Sequence, residues 1–409
     1  MTSESITAYV WIWLPHQTDP VPAGRLDRDG DVYLFTYGRS YLERSNAIPV
    51  YLPELPLQPG PQTPLVGVVP GSIRDSAPDG WGQRVIENLL AGHGASDLGL
   101  LTYLLHSGSN RIGALDFQLS AKDYAPRNQS TTTFAELLAS AARVEAGEPL
   151  SFELDRALLH GTSVGGARPK ASLVDGDRQL IAKFSSATDT SPMVQIEYLG
   201  MELARRCGLN TAKVEVVEVS GKQVLLVERF DRLGGNTRVT MVSALTVLGL
   251  DELGARYASY ADLADQIRAR FTNPDATLRE LFARITFNIL IGNTDDHARN
   301  HAAFWDGAEL TLTPAYDVCP YPRSGGEAHQ IMAIDRLGTR RSQVAVCVAS
   351  ADIYHLDPHD ARAIIDAQID TIRRDWPEVC DLAQLAVVDR KQLWNTAILN
   401  PYATYDYRL

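Results

Sequence analysis

The residues whose chemistry stands out lie between 288 and 317. They are the run Asn-Ile-Leu-Ile-Gly-Asn-Thr-Asp-Asp-His-Ala-Arg-Asn and the later Pro-Ala-Tyr-Asp. Asn293, Asp295, Asp296, His297, Arg299 and Asn300 crowd together after an apolar helical run with Phe287, Ile289, Leu290 and Ile291. So many carboxylates and carboxamides beside a buried-looking helix are costly unless they bind something. Asp295 precedes Asn300 by five positions, and Asp317 follows a strand-like stretch, Glu309 to Leu312. Phosphoryl transfer of the kinase type needs one aspartate to receive the acceptor hydroxyl's proton. It also needs an asparagine and a second aspartate to hold magnesium. The plain alternative is a solvated helix end, stopped at Gly292 and capped by small polar residues.

Elements upstream supply what that chemistry would need. Ser163-Val-Gly-Gly-Ala-Arg-Pro-Lys170 is a glycine-containing loop ahead of two short strands, Lys170 to Val174 and Gln179 to Phe184, which turn at Asp175-Gly-Asp177. Lys183 sits in the second strand among apolar neighbours; its bland reading is an edge-strand gatekeeper. A helix is expected next, with Ser191 as N-cap and Pro192 at its first position. Met193, Gly200, Met201 and Ala204 form its apolar face, and Glu197 shares that face. A glutamate there is the partner a kinase uses to orient its phosphate-gripping lysine. Taken alone, Glu197 is expected to face solvent. Val214 to Val219 and Gln223 to Phe230 read as a hairpin around Ser220-Gly221. The hairpin runs out through Glu228-Arg-Phe-Asp-Arg232 into Leu-Gly-Gly-Asn236, where a hinge would lie and backbone groups could read an adenine edge.

The bulk composition fits this picture. A chain of 409 residues is long for one core, which implies two or three subdomains. Its formal net charge of −12 argues against the whole chain coating nucleic acid. Cys207, Cys319, Cys347 and Cys380 are scattered with no CxxC pair, as expected of reduced thiols. No signal-peptide pattern opens the chain and no apolar run approaches the roughly 18 residues of a membrane span, so a cytoplasmic protein with no membrane partner is expected.

The rest of the chain divides by pattern. Tyr9 to Leu14 and Val32 to Tyr37 read as strands with a tight turn at Asp29-Gly30. Val85, Ile86, Leu89 and Leu90 mark an amphipathic helix, Leu100 to His106 a second, and Arg111 to Phe117 a closing strand. Residues 120 to 133 read as a linker and Phe134 to Glu145 as a helix. Beyond 240 the pattern is mostly helical, with candidates at 260–271, 276–292 and 358–375. The last has Asp357 as N-cap, Pro358 at the first position and Ile365, Ile369, Ile372 and Trp376 on one stripe.

The stretches Ser163 to Lys170, Leu226-Val-Glu-Arg-Phe-Asp-Arg232, Ile291 to Asn300 and Tyr316-Asp317 closely resemble the HipA family, serine/threonine kinases that act as toxins of bacterial type II toxin–antitoxin modules. Asp75-Ser-Ala-Pro-Asp-Gly-Trp81 and Arg111-Ile-Gly-Ala-Leu115 resemble that family's N-terminal subdomain. The resemblance implies an α+β, protein-kinase-like two-lobed fold. Residues 1–125 would form the extra N-terminal α/β subdomain, 126–233 the β-rich N-lobe and 234–409 the helical C-lobe.

It also implies roles. Asp295 would be the catalytic base, and Asn300 and Asp317 would hold magnesium. Lys183 would bind the ATP α/β-phosphates, oriented by Glu197. Gly165, Gly166, Ala167, Arg168, Pro169 and Lys170 would cover the phosphates. Glu228, Arg229 and Phe230 would line the adenine site, with His297 and Tyr316 in matched nucleotide-contact stretches. Ser163 matches the serine whose autophosphorylation inactivates the family's kinases; a phosphate there puts nearly two negative charges beside a site built for ATP anions. Two positions depart from some members: Asp296 stands where a glycine occurs and is expected to point to solvent, and Arg168-Pro-Lys170 replaces Gln-Glu-Lys. The implied partners are a HipB-like helix-turn-helix antitoxin, DNA mainly through that antitoxin, and a protein substrate with a Ser/Thr acceptor, aminoacyl-tRNA synthetases being among the family's targets. Two other readings stay open: a catalytically weak corepressor working through an antitoxin, and a small-molecule kinase.

Overall fold

The computed structural model describes residues 7–90, 98–127, 136, 168–186, 189–323 and 325–407. Ser163, Gly165, Gly166, Ala167 and all of the expected 134–145 helix except Glu136 lie outside them. The chain divides into two compact units. One comprises Met1–Asp189, Val217–Val242 and Phe304–Ala308; the other comprises Thr190–Val216, Ser243–Ala303 and Glu309–Leu409.

The first unit is built on two antiparallel sheets. In the first, β1 (Thr7–Ile12), β2 (Val21–Asp29), β3 (Val32–Tyr37), β4 (Pro61–Gln62) and β5 (Leu115–Gln118) lie in the order β4-β3-β2-β1-β5. Strict alternation along β3 turns Tyr33, Phe35 and Tyr37 into the core, as a period of two requires. Gly30, with φ of 61°, makes the expected tight turn where Asp29 pairs with Val32. The expected strand from Arg111 begins only at Leu115. Arg111 is fully buried and donates to Asp116 Oδ1 at 2.9 Å and to the carbonyls of Ser76 and Leu104, while Gly113 takes a φ of 74°. That anchoring holds residues 111–114 out of strand geometry.

The second sheet runs β6-β7-β9-β8, from β6 (Lys170–Asp175), β7 (Arg178–Phe184), β8 (Val214–Val219) and β9 (Lys222–Glu228). Both central residues of the β8–β9 turn, Ser220 (φ 52°) and Gly221 (φ 74°), are left-handed, as a type I′ hairpin demands. Ala171, Leu180, Ala182, Phe184, Val224 and Leu226 pack with Trp81 and Val85 of the Gly80–Leu90 helix. The Trp81 indole also donates to the Lys170 carbonyl at 3.1 Å.

The second unit is mainly helical. The helices expected near 260, 276 and 358 are Tyr260–Arg270, Pro274–Ile291 and Pro358–Leu382. Asp357 caps the last by accepting from the Asp360 amide at 2.8 Å, and of the expected stripe Ile365, Ile369 and Ile372 are buried while Trp376 is half-buried. That helix continues past 375 through Pro377, because Val379 and Cys380 beyond it are completely buried; proline removes one helical hydrogen bond, and tertiary burial outweighs it. All four cysteines are free thiols. Among the described residues no helix is long and apolar enough to cross a membrane.

Candidate active site

In the second unit the Pro274–Ile291 helix ends at Gly292, whose φ of 71° is the left-handed C-cap that glycine supplies cheaply. A Cβ there would also meet the Ala397 carbonyl oxygen at 2.9 Å. The chain therefore turns sharply into 293–301, where burial sorts the residues. Asp295 is exposed, His297 is half-buried, and Asn293, Asp296, Asn300 and His301 are buried.

Asp296 does not point to solvent. It is 3% exposed, and its Oδ2 accepts from the Tyr260 hydroxyl at 2.6 Å, Asn288 Nδ2 at 2.8 Å and His301 Nε2 at 3.0 Å. Asn293 Nδ2 extends the chain by donating to Asn288 Oδ1 at 3.1 Å. Burial pushes the Asp296 carboxyl up, but the His301 charge and the hydrogen bonds from His301 and Tyr260 outweigh it and hold the group below the ordinary range. The expectation of a solvated carboxylate fails because three donors from two helices and the loop converge on one oxygen.

Asp295, one residue earlier, has the opposite environment. Partial desolvation raises its pKa, with the Asp317 and Asp296 charges adding to the rise while His297 and the Tyr321 hydroxyl, 3.5 Å from Oδ2, oppose it. Asn300 Nδ2 donates to the Asp295 carbonyl at 3.3 Å, which commits the nitrogen of its carboxamide and leaves the oxygen as the end suited to a cation. Asp317 is exposed, with a φ of 60°. Left-handed backbone at a non-glycine residue is uncommon and collects where a side chain must be aimed. Tyr316 is fixed by a 2.7 Å bond from its hydroxyl to the Arg299 carbonyl. The Asn300 and Asp317 side chains present hard oxygen donors of the kind magnesium takes, so this donor set fits that ion.

The flanks of Asp317 are pinned. Ala315 N donates to Asn210 O at 2.7 Å and Ala212 N to Ala315 O at 2.9 Å. Arg284, 3% exposed, donates to the carbonyls of Thr313 at 2.9 Å and Asn210 at 3.2 Å. Beyond it, the Met193–Arg206 helix lies so close that a Cβ on Gly200 would stand 2.3 Å from the Val318 carbonyl oxygen. Glu197, on that helix, is 7% exposed, which overturns the solvent-facing expectation. The helix starts at Met193 with Pro192 as its cap, one residue later than the Ser191 cap predicts.

In the first unit, β7 lies between β6 and β9, so Lys183 is on an interior strand and the edge-gatekeeper reading falls. Lys170 pairs directly opposite it, and the two project from the face opposite to the Ala171–Ala182 core pair. Two like charges directly across an antiparallel pair are unfavourable by themselves. Arg168 forms an ion pair with Asp189 at 2.8 Å. The three residues proposed for an adenine site differ sharply. Glu228 and Phe230 are half-buried, Phe230 packing edge-on against Phe304 with centroids 5.9 Å apart. Arg229 is 4% exposed and spends its guanidinium on Asp231 at 2.9 and 2.7 Å, on Asn110 and on the Arg111 carbonyl. Its amide goes to the Gln179 carbonyl at 2.8 Å, so only its own carbonyl remains for a ligand.

The structure thus gives roles to residues that the sequence reading assigned to no site: Tyr260, Asn288, His301, Gly200 and Asp231. Asn288 carried a signal, being a carboxamide inside an apolar helical run, where a buried amide must find partners. Tyr260 and Gly200 carried none, since their partners are distant in sequence.

A model of the HipA N-terminal domain matches residues 15–118, and a model of the HipA-like C-terminal domain matches residues 162–376. A Sinorhizobium fredii protein, Y4mE, is 27% identical over 333 residues, covering 71% of this chain and 73% of that protein. The serine/threonine-protein kinase toxin HipA of Shewanella oneidensis is 28% identical over 185 residues, covering 38% of this chain and 42% of the toxin. Among solved structures, that of the Shewanella oneidensis MR-1 toxin–antitoxin system HipA, HipB and operator DNA complex superposes with a TM-score of 0.70 at 20% identity, covering 94% of this chain and 95% of the matched one. This places the chain in the α+β, kinase-like HipA fold. With the C-terminal model alone spanning more than half of its residues, the chain belongs to the HipA family.

Proposed function

We propose that the protein is an ATP- and magnesium-dependent serine/threonine-protein kinase acting as the toxin of a HipA/HipB-type module. The observation that carries this reading is the contrast between adjacent carboxylates. Asp296 is buried and saturated with donors, whereas Asp295 is exposed, raised in pKa and followed five residues later by an asparagine bonded to its carbonyl. Asp295 receives the proton of the acceptor hydroxyl. Asn300 and Asp317 hold magnesium, which when bound neutralises charge on the β- and γ-phosphates. Lys183 and Lys170 bind phosphate oxygens, and Glu197 orients Lys183. Gly165, Gly166, Ala167, Arg168 and Pro169 cover the phosphates, with Glu228, the Arg229 main chain, Phe230, His297 and Tyr316 at the nucleoside.

Residues 1–125, 126–233 and 234–409 serve as N-terminal subdomain, N-lobe and C-lobe, and Ser163 is the autophosphorylation site. The partner is a small helix-turn-helix antitoxin, through which DNA is reached, and the substrate is a cytoplasmic protein with a Ser/Thr acceptor. The kinase-toxin name of the Shewanella relative supports this assignment, as does the presence of HipB and operator DNA with HipA in the solved complex. The test is transfer of labelled phosphate from ATP to protein. Wild type is expected to label itself at Ser163, and Asp295→Asn to abolish transfer while still binding ATP. Wild-type silence with normal ATP binding would sink the kinase reading in favour of a corepressor.

A further inference from the structure

Asp295–Asn300 and Asp296–His301 form two rungs of one ladder, offset by one residue. In the first rung, the Asn300 carboxamide reaches the Asp295 carbonyl at 3.3 Å. One residue further along at each end, His301 Nε2 meets Asp296 Oδ2 at 3.0 Å. The second rung is buried, both side chains being 3–4% exposed, and it is clamped from outside the loop. Tyr260, wholly buried at the first turn of its helix, donates to the same Oδ2 and sets its ring edge-on to His301 with centroids 5.8 Å apart. Asn288, on the last turn of the Pro274–Ile291 helix, donates the third bond. A buried carboxylate with three donors on one oxygen cannot slide without leaving a charge or a donor unpaired, which costs more than an ordinary hydrogen bond is worth.

We propose that Asp296 and His301 are positioning residues for the reaction. Their bond, clamped by Tyr260 and Asn288, fixes the span between the base Asp295 and the cation-facing Asn300. The inference rests on the kinase reading above and adds the device that sets its geometry. A glycine in place of Asp296 would leave only the first rung, held by one 3.3 Å bond. The His301 ring donates from Nε2 to the carboxylate, a geometry that a glutamine amide reproduces and a leucine does not.

The test uses the full-length protein with His301→Leu, His301→Gln and Tyr260→Phe. It reads kcat for phosphate transfer at saturating ATP, the ATP dissociation constant, thermal midpoint and backbone hydrogen exchange over 293–301. Misplacement of reacting groups by about 1 Å costs on the order of 100-fold, so His301→Leu is expected to lose about 10- to 100-fold in kcat per folded molecule. Its ATP affinity should stay within about threefold, while 293–301 exchanges faster and the Pro358–Leu382 helix does not. His301→Gln is expected to recover most of that loss. Should His301→Leu fail to fold, Tyr260→Phe, which deletes one bond and keeps the ring, must still lower kcat. Wild-type kcat and unchanged loop exchange in both variants would overturn the positioning role alone. Equal losses in the leucine and glutamine variants would also overturn it. A wild type that transfers no phosphate under any condition would overturn the kinase reading and this role with it.

Discussion

Gly200→Ala adds one methyl group and changes no charge, yet it should disable the protein. Gly200 sits in the middle of the Met193–Arg206 helix, where alanine is favoured over glycine by about 1 kcal/mol on propensity alone. Its Cβ, however, would lie 2.3 Å from the Val318 carbonyl oxygen, 3.1 Å from the Val318 carbonyl carbon and 2.8 Å from Pro320 Cδ. Carbon–oxygen contacts settle at about 3.3 Å or more, so the 318–320 backbone must retreat by roughly 1 Å. No flexible side-chain tip is available to absorb the clash. Asp317, peptide-bonded to Val318 and already at a left-handed φ, moves with it. Overpacking of this kind costs about 1–3 kcal/mol, and a 1 Å displacement of a reacting group costs about 100-fold in rate. Phosphate transfer and thermal melting would be measured beside Gly326→Ala, where an added Cβ meets nothing within 4 Å. Gly200→Ala should melt lower and lose about 100-fold in kcat, with the Gly326 variant unchanged. A Gly200→Ala protein with wild-type kcat and an undiminished melting temperature would refute the reasoning.

Other perturbations should separate the two units. Asp231 is 2% exposed and accepts from Arg229, Arg232 and the Gly113 amide, so Asp231→Ala leaves two buried cations uncompensated and should cost about 3–5 kcal/mol in urea unfolding. The exposed pair Arg178–Asp175 is the control, and Asp175→Ala should cost less than about 1 kcal/mol. Burial opposes ionisation at Asp231, Asp116 and Asp296, but their cationic neighbours hold all three below the ordinary 3.8. Their contribution is therefore present above pH 3.8 and lost as pH falls through the lower folded values, so melting temperature should hold at neutral pH and collapse only in that acid range. Asp295 shifts the other way: its carboxyl, raised from 3.8 by desolvation and then by Asp317, must be ionised to accept a proton. The acidic limb of kcat/KM, which reports the free enzyme, should accordingly lie above pH 3.8, and a limb at or below that value would contradict the assignment of Asp295 as base. Gly292→Val puts a β-branched residue at φ 71° with a Cβ 2.9 Å from the Ala397 carbonyl oxygen, and should lower both stability and transfer.

What the sequence determined by itself was local. Runs rich in β-branched and aromatic residues marked β1 and β3 as strands. The Ser220-Gly221 pair fixed a type I′ hairpin, and Asp357-Pro358 fixed the start of a helix, because turns and caps depend on residues a few positions apart. The same locality made the Asp295, Asn300 and Asp317 spacing visible as a candidate set, since it is written along one stretch of chain. Tertiary structure decided which neighbour of a pair is buried. Asp295 and Asp296 are identical side chains on adjacent residues, and only the arrival of Tyr260 and Asn288 from separate helices makes the second a saturated anchor and leaves the first exposed. Burial also reversed the expectation for Glu197 and carried a helix through Pro377. It spent the Arg229 guanidinium on Asp231 and on carbonyls more than a hundred positions away. Side-chain partners that distant leave no mark in local pattern, because the energy that selects them, desolvation repaid by convergent hydrogen bonds, exists only once the chain has folded.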